Sequence, residues 1–132
     1  MILAATLLLA LAFASTASAA RKQFEHFSAD IPAGWKTKEV DGAVEIAAPD
    51  GSATLAVSLG EAGDPEAVGT IVMEALGGSD GAVDEDGDFM FSFEKDGAPG
   101  VGIVQDAGDF MVILVLHGDV DKLEPIIGSI ED

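Results

Sequence analysis

Asp-Gly dipeptides recur along this chain and constrain its fold more than any other feature of the sequence. They mark predicted turns at Asp41-Gly42, Asp50-Gly51, Asp86-Gly87 and Asp96-Gly97. Asp-Gly suits the type I′ turn, in which both central residues take positive φ. Each pair lies between segments rich in β-forming residues, so consecutive antiparallel hairpins are the economical interpretation.

The segments between these turns alternate apolar and polar residues, which places the larger side chains of each on one sheet face. The alternating sets are Phe27, Ala29 and Ile31; Val44, Ile46 and Ala48; Ala53, Leu55, Val57 and Leu59; and Phe89, Phe91 and Phe93. Residues 110–116 are all apolar, which is typical of a strand covered on both faces in the middle of a sheet. We expect Phe91 to be buried beneath a helix, in one core with Leu55 and Leu114.

Two segments have helical patterns. In the first, Asp64 is an N-cap, Pro65 and Glu66 fit the first turn, and Gly77-Gly78 ends the helix. Its predicted apolar stripe is Val68, Ile71, Val72, Ala75 and Leu76. The second helix starts near Asp119 or Asp121 and runs to Ile130, with an apolar stripe of Leu123, Ile126, Ile127 and Ile130. Pro125 must fall in its first turn, which favours Asp121 as the N-cap.

These elements predict an α+β fold. We expect an antiparallel sheet of about six to seven strands built from Asp-Gly hairpins, with two α-helices packed on it. One helix on each face would give α/β/α-like layers.

Residues 1–19 are predicted to be an export signal, which leaves a single domain at 20–132. An apolar segment is followed by Ala17-Ser18-Ala19, a small-x-small cleavage site with the cut before Ala20. No Lys or Arg precedes the apolar segment, and the alternative is an uncleaved membrane anchor. The segment is shorter than the roughly 20 apolar residues of a spanning helix, which favours a cleaved signal and a periplasmic or secreted protein.

The charge excludes several classes of function. The chain carries 6 Lys and Arg against 24 Asp and Glu, a net charge of −18. A chain this negative repels the phosphates of nucleic acids and anionic lipid surfaces. We therefore expect neither nucleic-acid binding nor stable insertion of the mature chain into a membrane. The absence of Cys from the sequence excludes disulfides, thiolate zinc sites and a lipid-modified Cys.

Several motifs resemble the PsbP-like superfamily. Residues 27–35 read Phe-Ser-Ala-Asp-Ile-Pro-Ala-Gly-Trp, which is similar to the opening of PsbP-like domains. Residues 48–51, Ala-Pro-Asp-Gly, resemble the next hairpin, and residues 123–130 resemble the closing helix. The resemblance, which extends to exported bacterial proteins of the DcrB type, implies a PsbP-like fold, an export context and a binding or assembly role. It supplies no catalytic residue.

The strongest candidate for chemistry is the acidic segment 80–88. Asp80, Asp84, Asp86 and Asp88 could supply oxygen ligands to Ca²⁺. No other cofactor is expected. An EF-hand register from Asp84 fails, because its sixth position is Phe89 and its twelfth is Lys95. The alternative, which we favour, is a solvated turn centred on Asp86-Gly87.

Other residues favour structural roles. His26 and His117 lack an accompanying nucleophile motif, although His117 could pair with Asp119. Residues 97–102 resemble a phosphate loop but contain no Lys, and their glycines suit a bulge or a tight strand crossing. Trp35 and the aromatic residues Phe89, Phe91, Phe93 and Phe110 are expected in the core.

The sequence therefore predicts a non-enzymatic, exported protein-binding or assembly module. Its net charge favours a cationic protein partner, by steering more than by affinity. The alternative function is binding of a small ligand or a divalent cation by the segment 80–88. A hydrolase using paired carboxylates is the least favoured hypothesis.

Overall fold

The computed structural model describes residues 19–40 and 42–131. Their contacts divide them into two compact units. The terminal unit combines residues 19–35 with 124–131, and the sheet unit holds the described residues of 36–123. Except for Ala19, the predicted export signal lies outside the described residues, as does Asp41 of the first predicted turn.

Nine strands and two helices make up the described chain. In chain order they are β1 (Ala19–Gln23), β2 (Ser28–Pro32), β3 (Lys36–Val40), β4 (Ala43–Ala47), β5 (Ala53–Glu61), α1 (Pro65–Leu76), β6 (Ser79–Val83), β7 (Phe89–Lys95), β8 (Ala98–Asp106), β9 (Phe110–Gly118) and α2 (Glu124–Gly128). The predicted α+β class is confirmed.

The sheet unit is built on seven antiparallel strands in the order β3-β4-β5-β9-β8-β7-β6. The wholly apolar segment 110–116 falls in β9, which is the middle strand, as its composition predicted. Helix α1 packs on β6, β7 and β8. In the part of the chain that the structure describes, no helix is long and apolar enough to span a membrane.

In the terminal unit, β1 pairs with β2 and α2 packs on β2. Arg21 connects the beginning and the end of the chain: its guanidinium forms ion pairs with Asp30 and Glu131, each at 3.0 Å. It also donates to the Ser129 carbonyl at 2.6 Å. Buried apolar side chains of this unit are Phe24, Phe27, Ala29, Ile31 and Ile126.

The two faces of the seven-stranded sheet carry separate apolar sets. On the face that bears α1, called the helix face, the buried cluster is Phe89, Phe91, Phe93, Val104 and Met111. Val115 packs on this cluster and pairs with Ala56 across the strands. Leu55 and Leu114 are each one residue along from that pair, so they point to the opposite face. The prediction that Phe91 shares a core with Leu55 and Leu114 is wrong, although all three are buried.

The phenylalanines of β7 interlock with glycines. Gly102 and Gly100 are the cross-strand partners of Phe91 and Phe93. Each aromatic ring occupies the space in which a Cβ on its glycine would stand. The tight strand crossing predicted at these glycines is therefore a close contact between two strands, in which the phenylalanine rings of β7 cover the glycine backbone of β8.

The predicted type I′ geometry holds at one of the three described Asp-Gly turns. Asp96 and Gly97 have φ of 54° and 78° and form the two-residue turn between β7 and β8. At Asp50-Gly51 and Asp86-Gly87 only the glycine has positive φ, so a type I′ turn is wrong there. These two connections are longer loops, residues 48–52 and 84–88, in which positive φ is needed at the glycine alone.

Helix α1 begins and ends as predicted. Asp64 caps it by accepting the Glu66 N–H at 3.2 Å, and Gly77 ends it with φ of 69°. The apolar stripe is wrong at Ile71, which is 67% exposed, and at Ala75, which is also exposed, because Val68, Val72, Met73 and Leu76 form the side that packs on the sheet.

The closing segment is shorter and more broken than predicted. A 3₁₀ turn at Val120–Lys122 precedes α2, and Asp119 is its N-cap position without a side-chain hydrogen bond. Asp121 as N-cap is therefore wrong. Pro125 does fall in the first turn of α2, and Leu123 and Ile126 are buried as expected.

Candidate functional site

Helix α1 leaves part of the helix face uncovered, and a groove lies there. The groove has a volume of about 340 Å³. Its lining residues come from β4, β5, β7, β9, the last residue of α1 and the turn after β7: Glu45, Ala47, Thr54, Leu55, Ala56, Leu76, Phe93, Lys95, Asp96, Val115 and His117. All of them belong to the sheet unit.

His117 is held at one end of the groove by two contacts. Its Nε2 lies 2.9 Å from the Lys95 carbonyl oxygen, and because a carbonyl can only accept, Nε2–H is the donor. The imidazole also stacks on the Phe93 ring, with centroids 6.0 Å apart and planes at 14°. The predicted pairing of His117 with Asp119 is not found. This imidazole fixes the end of β7 against β9.

The acidic segment 80–88 is partly strand. Residues 79–83 form β6 at the edge of the sheet, and Asp80 has a φ of 59° at an irregularity in the β6–β7 register. Asp84 opens the following loop: its Oδ1 accepts the N–H groups of Asp86 and Asp88 at 2.9 and 3.0 Å. That carboxylate therefore stabilises the loop from within.

The four candidate ligands Asp80, Asp84, Asp86 and Asp88 are all within the part of the chain that the structure describes. Among residues 19–40 and 42–131 no three His, Cys, Asp or Glu side chains are grouped so as to hold a metal ion. The alternative function as a divalent-cation binder therefore gains no support from the structure.

We expect millimolar Ca²⁺ and Mg²⁺ to shift the melting temperature equally at matched ionic strength, because the Asp84 carboxylate already accepts two backbone N–H groups. A true site would stabilise the protein by about 2.7 kcal/mol at a hundredfold excess of Ca²⁺ over its Kd. Thermal denaturation with each cation is the measurement. A rise specific to Ca²⁺ that disappears in Asp84→Asn/Asp86→Asn would contradict the expectation.

Asp88 is the last residue of the 84–88 loop, directly before β7, and is partly buried. Burial raises the pKa of its carboxyl above the ordinary value of 3.8, and the neighbouring Asp84 charge raises it further, while a hydrogen bond with Gln105 opposes the shift. At Asp50 the pKa is lowered, chiefly by the Ser52 side-chain hydrogen bond.

Because the pKa of Asp88 is higher in the folded than in the unfolded state, its ionisation destabilises the fold above that pKa. We expect Asp88→Asn to raise the melting temperature at pH 7. The gain should shrink as the pH falls through the raised pKa, where the wild-type carboxyl becomes protonated. Asp109→Asn, at an exposed turn, removes the same charge and is the control. Equal effects of the two variants at pH 7 would contradict this.

The remaining predicted residues lie apart from the groove. His26 is exposed, with its Nε2 3.8 Å from a Glu25 carboxylate oxygen. Trp35 and Phe110 are half-buried rather than fully buried, whereas Phe89, Phe91 and Phe93 are buried as predicted. Sequence reasoning missed the groove itself. The one available signal is that β5 carries the small residues Thr54 and Ala56 on the helix face, where they leave room for a groove.

No protein-family model and no curated protein matches the chain. Solved structures do. The solution structure of cyanobacterial PsbP (CyanoP) from Synechocystis sp. PCC 6803 matches with a TM-score of 0.58 and 16% identity, covering 87% of this chain and 92% of that chain.

A crystal structure from Bacteroides thetaiotaomicron VPI-5482 matches with a TM-score of 0.50 and 14% identity. That match covers 80% of this chain and 44% of the Bacteroides chain, so the present chain spans less than half the length of that protein. The fold is PsbP-like, as the resemblance of residues 27–35, 48–51 and 123–130 implied.

Proposed function

We propose that this chain is an exported, non-enzymatic binding module that docks a basic segment of a partner protein. The observation that carries the proposal is the distribution of charge along the chain. No Lys or Arg lies between Lys38 and Lys95, whereas Asp and Glu recur throughout that stretch. It includes the whole of α1, β6 and the β6–β7 loop.

These elements form one acidic edge of the sheet unit, since α1 packs on β6 and β6 is the last strand of the sheet. The acidic edge is defined by six exposed carboxylates: Glu66, Glu74, Asp80, Asp84, Glu85 and Asp86. Two large apolar side chains are exposed among these elements, Ile71 at 67% and Val83 at 46%.

Such an edge suits a basic segment that also carries an apolar residue. Like charges crowded on one side create a potential that steers a cation and repels an anion. Ile71 and Val83 offer apolar contact area that the charges alone do not. Steering raises the association rate, and the apolar contacts slow dissociation.

The PsbP-like fold supports a non-enzymatic role in general. The contacts of His117 are structural: Nε2–H donates to the Lys95 carbonyl and the ring stacks on Phe93.

The test is capture of the partner from the exported fraction by immobilised protein, with identification by mass spectrometry. The decisive variant is Glu66→Gln/Glu74→Gln/Asp80→Asn, in which Asn suits the positive φ at residue 80. The matched control, Glu25→Gln/Asp109→Asn/Glu124→Gln, removes three exposed charges elsewhere. We expect the acidic-edge variant to lose the partner and the control to keep it.

Ile71→Ser tests how much apolar contact contributes to partner binding, because Ile71 is not among the residues that pack on the buried cluster. It should speed dissociation of the captured partner and leave the melting temperature nearly unchanged. Equal capture by the wild type and the acidic-edge variant would contradict the proposal.

The predicted export signal at residues 1–19 leads to a separate prediction. Cleavage before Ala20 leaves Arg21, which forms ion pairs with Asp30 and Glu131, as the second residue of the mature chain. We expect the intact mass of the exported protein to correspond to residues 20–132. A mass that retains residues 1–19 would instead identify the segment as an anchor.

A further inference from the structure

The floor of the groove on the helix face carries no charged side chain. Two strands form this floor: Thr54 of β5 is opposite His117 of β9, and Ala56 is opposite Val115. Cross-strand partners lie on one face of a sheet, and so do residues two apart along a strand. The floor is therefore a block of four neighbouring side chains, polar in one row and apolar in the next.

The charged residues of the lining stand on either side of this floor. Glu45 is on β4, whereas Lys95 and Asp96 are at the end of β7. Four strand spacings separate β4 from β7, which is about 19 Å at about 4.8 Å for each spacing. One head group therefore cannot meet both carboxylates. Lys95 and Asp96 are adjacent in the sequence and opposite in charge, so together they favour neither a cation nor an anion.

Thr54 and His117 supply the hydrogen-bonding groups of the floor. Nε2–H of His117 donates to the Lys95 carbonyl at 2.9 Å, so in the neutral ring Nδ1 carries the lone pair and accepts. Neither Nδ1 nor the Thr54 hydroxyl bonds to another residue in the part of the chain that the structure describes. No buried side-chain nitrogen or oxygen of that part lacks a hydrogen-bond partner, so both atoms are open to solvent.

The other large side chains of the lining are apolar. Leu76 ends α1 and Phe93 belongs to β7, and both add apolar surface to that of Ala56 and Val115. The volume of about 340 Å³ lies at the lower end of small-molecule sites, which are mostly apolar with a few polar groups that orient the ligand.

We propose that the groove binds a small uncharged molecule that has an apolar body and an alcohol group. The alcohol O–H donates to Nδ1 of His117, and its oxygen accepts from the Thr54 hydroxyl. The apolar body lies on Ala56 and Val115, against Leu76. A charged head group would leave water for a floor that offers it no opposite charge, which costs more than burying an alcohol that is hydrogen-bonded.

The test compares four probes that share a phenyl ring and differ in their head groups: benzyl alcohol, benzyl methyl ether, benzylammonium and benzoate. Each is titrated into the full folded protein at about pH 8, where an ordinary imidazole is neutral. We expect benzyl alcohol to shift the backbone amides of Ala56, Leu76 and Val115 with a Kd of about 1–10 mM, as suits so small a ligand. The two charged probes should bind about tenfold more weakly or less.

Benzyl methyl ether isolates the hydrogen bond to His117. It keeps the accepting oxygen but has no O–H, so it should bind about threefold more weakly than the alcohol, which is the size of one neutral hydrogen bond. The ¹⁵N resonance of His117 Nδ1 should move when the alcohol is added and stay in place with the ether.

Thr54→Val removes the donating hydroxyl, keeps the shape of the side chain and should weaken binding of benzyl alcohol about threefold. Thr70→Val is the matched control, because the Thr70 hydroxyl bonds to the Glu66 carbonyl on α1, outside the lining. It should leave binding unchanged. Ala56→Leu fills the floor and should abolish the shifts, with the amide spectrum showing that the variant is folded.

If either charged probe or the ether binds as tightly as the alcohol, the inference is overturned. The same holds for equal losses in Thr54→Val and Thr70→Val, for an Nδ1 resonance that does not respond to the alcohol, and for no shift with any probe. None of the six carboxylates of the acidic edge lines the groove, so these outcomes do not bear on the docking of a basic partner.

Discussion

Replacing Phe91 with Ala is expected to destabilise the sheet unit by about 3–5 kcal/mol. Its ring is 2% exposed and packs between α1 and the backbone of Gly102, so truncation leaves a cavity that the sheet cannot close. Chemical denaturation measures the free energy of unfolding. A second reporter is the near-ultraviolet signal of Trp35, which lies in the terminal unit and so shows whether both units respond.

Ser92→Ala is the control for this variant. Ser92 is the next residue of β7, points to the other face and is exposed, so its truncation should cost under about 0.5 kcal/mol. A loss near zero for Phe91→Ala as well would mean that the phenylalanine stripe faces solvent. An exposed aromatic cleft would then replace the buried cluster as the interpretation.

Adding one methyl group at Gly102 is expected to be nearly as damaging, at about 1–3 kcal/mol. The new Cβ would stand inside the volume of the Phe91 ring, which cannot move outward because α1 packs over it. Gly102→Ala should therefore lower the denaturation midpoint even though its backbone has no positive φ.

A double-mutant cycle separates ring contact from backbone effects. If the ring is the cause, Phe91→Leu/Gly102→Ala should lose less stability than the sum of the two single variants. Gly97→Ala, where a Cβ meets open space but φ is 78°, is the comparison for pure backbone strain. Strict additivity of the Phe91 and Gly102 changes would contradict the interlock.

The strands with alternating apolar residues were predictable because one face of each is buried. β2, β4, β5 and β7 all follow this rule. Three other strands, β1, β3 and β6, gave no such signal, because they have few large apolar residues and β6 is exposed throughout. Tertiary pairing, rather than their own pattern, makes them strands.

Alternation could not show which face each strand buries. A period of two separates the two faces of a strand but does not relate one strand to another until the register is known. The central strand β9 contributes to both faces, with Met111 on one and Leu114 on the other. For this reason the prediction from the sequence wrongly assigned Phe91, Leu55 and Leu114 to one core.

The candidate site was only partly predictable. The solvated turn at residues 84–88 follows from local chemistry, because an Asp side chain readily accepts the backbone N–H of the residue two positions later, as Asp84 accepts that of Asp86. The groove depends on α1 covering one half of a seven-stranded sheet, which no local pattern encodes. Ala47 on β4 and Lys95 on β7 come to line one groove only through the register of five strands.

The strand order carries a consequence for folding kinetics. Strands β3-β4-β5 and β6-β7-β8-β9 are two meanders, each formed by contacts between sequence neighbours. They join through β5 and β9 alone, over a ladder from Ala53↔Gly118 to Glu61↔Phe110. That ladder brings together chain segments far apart in sequence, so its loop-closure entropy must be overcome before its contacts contribute. We expect folding on the scale of about milliseconds to seconds, with the two meanders forming before the central ladder closes.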